Sequence, residues 1–181
     1  MKRILPAIVL LLFAAPAWAG EAELTADIRA MLAGLPPLAG KKVTAENLKG
    51  RVVLVTFFAS WCPPCHKEFR HLNDLHAEFG RKGFRIVSIN QFEDYAGPDP
   101  GEDRLNRFLE RYNPRFSVVR GGEAVGMAFE DVQRIPTVFI FDRTGTKRFH
   151  FIHKQGATKM NPTITELRAV LNELFGSGQP Q

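Results

Sequence analysis

The sequence predicts an α/β fold in which a central mixed β-sheet is flanked by helices. Three stretches carry that prediction. Residues 51–59 are a nearly continuous run of β-branched, aliphatic and aromatic side chains, the pattern of a strand buried on both faces. Residues 62–79 follow with Phe69, Leu72, Leu75 and Phe79 at spacings of three and four, one apolar stripe of a helix. Residues 84–89 form a second apolar run, which completes a βαβ unit and implies a parallel pair with a right-handed crossover.

The other elements follow in chain order. Lys2 and Arg3, an apolar stretch over residues 4–15 and the small-x-small triplet Ala17-Trp18-Ala19 have the layout of a secretory signal peptide cut after Ala19. That apolar stretch is shorter than the ~20 residues that cross a bilayer, and the segment contains Pro6 and Pro16. No cysteine follows it to carry a lipid. The expectation is export to the periplasm without a stable membrane anchor. Residues 20–37 read as a leader segment, with a short helix over 21–33 stopped by Leu35-Pro36-Pro37. The main domain is expected over 38–175. It opens with a polar strand or turn over 39–49 and contains a loop over 94–103 and a helix over 104–112, ended by Asn113-Pro114. A short strand over 116–119 and a helical turn over 125–132 come next. The run 136–141 is a strand, turned by Asp142-Arg143-Thr144-Gly145 into a return strand over 146–152. A last helix, capped by Thr163 or Thr165, carries Ile164, Leu167, Leu171, Leu174 and Phe175 on one side. Residues 176–181 read as a frayed tail.

Composition narrows the function. The chain has 45% apolar and 24% charged residues, which excludes general disorder. Its two cysteines are too few for a disulfide-stapled scaffold or an all-thiolate metal cluster. The formal charge of +5 falls to +3 without the signal segment and is spread along the chain, so nucleic acid is not an expected partner.

Chemistry concentrates in Ser60-Trp61-Cys62-Pro63-Pro64-Cys65-His66, at the junction of the first strong strand and the helix after it. The unsatisfied N–H groups and positive dipole end of a first helical turn stabilise an anion, so Cys62 at the N-cap gains thiolate character. Cys65, three residues on, is near enough to close a disulfide with it. A nucleophilic and a resolving thiol together are the apparatus of thiol–disulfide exchange. Pro63 and Pro64 lack the N–H groups that would otherwise cap the thiolate, leaving that of Cys65; this points to a pair that leans toward reductant. A second signal is Ile135-Pro136-Thr137 at a strand start. A cis Pro136 would turn the chain there and expose the Ile135 backbone to an extended substrate strand.

These motifs resemble the thioredoxin-like superfamily, and within it the exported TlpA/ResA-type proteins, including those serving cytochrome c maturation. The resemblance runs from about Leu38 to Phe175. It rests on residues 50–65, Glu68-Phe69, Ile135-Pro136-Thr137 and the turn 142–145. It implies a thioredoxin fold, Cys62 as nucleophile, Cys65 as resolving thiol and a cis Pro136, with Trp61, Pro63, Pro64 and Ile135 meeting the substrate. No cofactor beyond the redox-active Cys62–Cys65 disulfide is implied. The partners would be disulfide-bearing proteins and a membrane electron donor, since exported compartments hold no reducing buffer. Where many thioredoxins have a buried acid this chain has Thr56, so a proton acceptor for Cys65 must lie elsewhere. Glu93 stands where ResA-like proteins place a glutamate; a burial-raised pKa would make it a base, whereas in the open loop it would be merely solvated. Arg70 stands where a proline often kinks the helix, and the loop 94–103 is long enough to select partners.

Two rival readings use the same residues. Cys62-Pro63-Pro64-Cys65-His66 fits the C-x-x-C-H pattern of covalent haem attachment, with His66 as the proximal ligand and Met127 or Met160 as a distal one. Cys62, Cys65 and a histidine would also suit copper(I) in an assembly factor. Against a shared metal site, His66, His71 and His76 are spaced by five, a rotation of about 140° at each step around a helix.

Overall fold

The computed structural model describes residues 22–97, 101–154 and 156–176. The expected signal segment 1–19 and tail residues 177–181 lie outside them.

Thr25 caps α1 (Ala26–Gly34), its hydroxyl accepting the Ile28 N–H, so the helix starts later than its composition indicated. Leu35 and the two prolines end it as expected. This segment is part of the body: Leu24 and Leu32 are buried, and the Leu24 N–H donates to the Gly145 carbonyl at 2.8 Å. The stretch expected as a strand or turn divides into β1 (Pro37–Ala39) and α2 (Ala45–Leu48). A reciprocal cap between Thr44 and Asn47 starts α2, a local hydrogen-bond device that leaves no hydrophobic period to read.

Next come β2 (Val52–Phe58) and α3 (Pro63–Phe79). A 3-10 turn over Gly80–Lys82 then reaches Gly83, whose φ of 99° glycine adopts at little cost. After β3 (Phe84–Asn90), part of the expected loop is instead helical: a 3-10 turn covers Glu93–Ala96, and 101–103 already belong to α4 (Gly101–Tyr112), while 98–100 lie outside the described residues. The chain closes with β4 (Ser117–Arg120), α5 (Glu123–Ala128), β5 (Thr137–Phe141), β6 (Lys147–Ile152) and α6 (Ile164–Gly176). Of the two threonines considered, Thr163 is the one whose hydroxyl accepts the Glu166 N–H at the start of α6.

The sheet order is β1-β4-β3-β2-β5-β6. The pairs β2–β3 and β3–β4 are parallel, while β1–β4, β2–β5 and β5–β6 are antiparallel. This is the mixed sheet of the thioredoxin fold, with β2 inside it. Every residue of β2 is buried because both faces are covered. Phe57 packs on Phe129 and Phe139 on one side; Phe58 packs on Phe69 of α3 at 4.6 Å and on Phe108 of α4 at 5.4 Å on the other. Each such aromatic pair adds about 0.5–1.5 kcal/mol beyond its burial. Their joint effect is to fix the start of α3 against the end of β2, where the two cysteines lie.

Candidate active site

Strand β2 ends at Phe58, and residues 59–62 turn the chain into α3. Cys62 is the N-cap of α3 and Cys65 lies in its first turn, joined to it by a disulfide with Cα atoms 5.4 Å apart. Both are buried. No side chain caps this helix, and Pro63 and Pro64 occupy its first positions. The Cys65 N–H, the donor expected to be left for the Cys62 sulfur, goes to the Cys62 carbonyl at 3.1 Å in this oxidised form. Pro63 is exposed and Pro64 half-buried, so this end of the helix reaches solvent past the prolines.

Glu93 is buried rather than solvated. It accepts the Ser60 N–H at 3.0 Å and the Asn90 side-chain amide at 2.7 Å on one oxygen, and the Ser60 hydroxyl on the other. Asn90 is placed by the register, opposite Phe58 at the end of β3. Glu93 thus ties the residues just before Cys62 to the neighbouring strand. Trp61 makes a parallel link, its indole N–H donating to the Phe92 carbonyl at 2.8 Å. Phe92 has a φ of 63°, in a region that costs a bulky residue about 1–3 kcal/mol. The indole bond and its stacking on Tyr95 at 5.3 Å help hold it there.

The missing buried acid is on the helix. Glu68 is fully buried one turn after Cys65, and one of its oxygens accepts the Thr56 hydroxyl at 2.7 Å. Thr56 therefore does not replace the acid but holds it. The other oxygen has no protein partner among the described residues. Burial raises the Glu68 pKa from 4.5 to about 8, and the Thr56 bond offsets only part of that rise. Residues three apart on a helix share a face, so Glu68 and Cys65 lie on the same side of α3. The signal was in the sequence: a glutamate inside the Cys65–Phe69–Leu72 stripe, where a solvated charge has no place.

The Ile135–Pro136 bond is cis. The Ile135 backbone is less open than expected: the residue is 8% exposed, and its carbonyl meets the His153 Nδ1 at 3.2 Å. His66 turns away from the role of a metal ligand. Its Nε2 lies 2.9 Å from the Ser60 carbonyl, which can only accept, so that nitrogen donates; its Nδ1 meets the Tyr112 hydroxyl at 2.9 Å. Met127 and Met160 are both surface residues.

The fold, the strand–turn–helix disulfide and the cis-proline now stand together, and residues 21–171 match the model of the Redoxin family. The chain belongs to the Redoxin family. It is 31% identical over 110 residues to the thiol-disulfide oxidoreductase ResA of Bacillus cereus, covering 60% of this chain and 58% of that protein, so it spans little more than half of that relative. It is 27% identical over 147 residues to ResA of Geobacillus thermodenitrificans, covering 76% and 79%. A thioredoxin-family thiol:disulfide interchange protein of known structure from Chlorobium tepidum superposes with a TM-score of 0.60 at 20% identity, over 78% of this chain and 96% of that one, a likeness of fold. Within the Redoxin family, this chain is of the TlpA/ResA type.

Proposed function

We propose that the chain is an exported thiol–disulfide oxidoreductase that reduces protein disulfides. The observation that carries the reading is the Cys62–Cys65 disulfide at the start of α3, one turn before a buried carboxyl with a pKa of about 8. In the reduced protein the Cys62 thiolate attacks one sulfur of a substrate disulfide, forming a mixed disulfide and releasing the first substrate thiolate. Cys65 then loses its proton to Glu68 in its ionised form, which a pKa of about 8 leaves partly populated near neutral pH, and attacks the Cys62 sulfur. That step closes the disulfide seen here and releases the second substrate thiolate. A carboxyl titrating near neutral pH suits such a transfer, because a base works best when its pKa lies near the working pH. Glu93, saturated by three donors, serves as a brace that positions Ser60 and Trp61.

Export to the periplasm is supported by residues 1–19, and no helix among the described residues is long and apolar enough to cross a membrane. The names of the ResA relatives support the exchange chemistry. A membrane donor of electrons would restore the dithiol, and the substrates would be disulfide-bearing proteins under assembly, c-type cytochrome precursors among them. Part of such a substrate would seat in a cavity of about 430 Å³ lined by Tyr95, 77% exposed, and Met127, 60% exposed, whose wall residues Glu93 and Phe92 bond Ser60 and Trp61 just before Cys62. Trapping tests the roles. A Cys65→Ala variant accumulates mixed disulfides with periplasmic proteins, and a Cys62→Ala variant does not; equal trapping by both refutes the assignment.

A further inference from the structure

A second cavity, of about 1060 Å³, lies at the other end of the sheet. It is walled by the end of α3, the Gly80–Lys82 turn, the starts of β3 and β4, and the residues just after β1. Strand β2 runs seven residues between that end and the dithiol, about 20 Å at the usual rise. The cavity plays no part in the exchange chemistry.

Its charge is one-sided. Lys41, Arg81, Arg85 and Arg115 line it, and no carboxylate among the described residues does. None of the four makes an ion pair with a described residue. Arg85 is the built part of the site: half-buried, it is held by its Nη1, which donates to the Phe84 carbonyl at 2.8 Å and the Gly80 carbonyl at 3.2 Å. Its Nε and Nη2 have no partner among the described residues, so an oriented guanidinium edge is left to donate. His76 lies half-buried on the cavity wall, where burial, Arg85, Lys41 and Arg115 all hold it neutral. Burial and the nearby Arg51 likewise disfavour the charge on Arg85. Like charges converging without a counter-charge repel one another, and an anion bound among them removes that repulsion. Three arginines favour an oxyanion with several acceptor oxygens, because a guanidinium binds two of them side by side. The size is that of a small-molecule site rather than of a single ion.

We propose that this cleft binds a phosphate-bearing anion, gripped by Arg85 and Arg115 with Lys41 and Arg81 at the rim. The chemistry is shared by soluble phosphates and by anionic lipid headgroups, and the test separates them. The protein is titrated with pyrophosphate, at ionic strength held constant with sodium chloride, while backbone amide and His76 imidazole NMR signals are followed. Saturable shifts confined to His76, Arg81, Arg85 and Arg115 are expected. An Arg81→Gln/Arg115→Gln variant, altered only at exposed positions, weakens binding at least about tenfold, as loss of charged hydrogen bonds requires. Its dithiol exchange rate stays that of the wild type. Arg85→Gln weakens binding further. In parallel, sedimentation with phosphatidylglycerol vesicles, against phosphatidylcholine vesicles, reads the lipid source. Binding to the former that the double variant abolishes assigns a headgroup, and pyrophosphate binding without vesicle binding assigns a soluble phosphate. Non-saturable shifts spread over the surface, or equal binding by wild type and double variant in both arms, overturn the proposal.

Discussion

Replacing Glu68 by glutamine should change how stability depends on pH more than how large it is. In the folded protein the carboxyl keeps its proton up to about pH 8, whereas in the unfolded chain it loses it near 4.5. Between those values the unfolded state binds fewer protons, so stability falls as pH rises through the window. The full contribution is present below 4.5 and is lost progressively up to about 8. At 1.36 kcal/mol per unit, the raised pKa corresponds to roughly 5 kcal/mol across the window. Glutamine keeps the Thr56 bond but cannot ionise, and its amide adds buried N–H groups with little to bind, a cost of about 1–3 kcal/mol. Urea unfolding of the oxidised protein at about pH 5 and about pH 8.5 reads both effects. Glu68→Gln is expected to be the less stable protein at the lower pH and the more stable at the higher one, because the other titrating groups cancel in the comparison. Parallel stability curves for the two proteins would show that Glu68 does not titrate in the window, and its role as proton acceptor would fall with it.

Other outcomes follow from the same contacts. Glu93→Ala leaves the Ser60 N–H and the Asn90 amide buried without their acceptor, which should cost about 2–5 kcal/mol in urea unfolding and slow dithiol exchange by loosening the turn before Cys62. Phe69→Ala removes a ring that touches Phe58, Phe108, Tyr112 and Phe116, and should cost about 3–5 kcal/mol by the same measurement. Lys159 and the Thr163 bonds hold the Glu166 pKa down to about 2, so its contribution is present above 4.5 and lost as pH falls toward 2. Thr163→Ala should move the Glu166 carboxyl signal in an NMR titration back toward its ordinary value and cost about 1 kcal/mol of helix stability.

The strands that build the sheet centre were legible because burial on both faces leaves an unbroken apolar run, as in 51–59 and 136–141. The dithiol was legible because Cys62 and Cys65 need only a strand end and a helix start to be placed. What the sequence concealed was set by single contacts. α2 rests on one capping exchange between Thr44 and Asn47. The turn at Glu93–Ala96 depends on a left-handed Phe92, which no rule of composition anticipates. In the proposed mechanism the base expected at Glu93 is instead Glu68, for the same reason. Which carboxyl is saturated by donors and which is left with one bond depends on Asn90, Ser60 and Thr56, brought close by register and packing across the fold.

The central claim is that Cys62 and Cys65 form a redox couple poised to reduce. Its most direct test is the reduction potential of that couple, measured by equilibration with glutathione or dithiothreitol buffers. A reducing value, near the roughly −270 mV of thioredoxin, is the expected result; a value as oxidising as about −120 mV would contradict it.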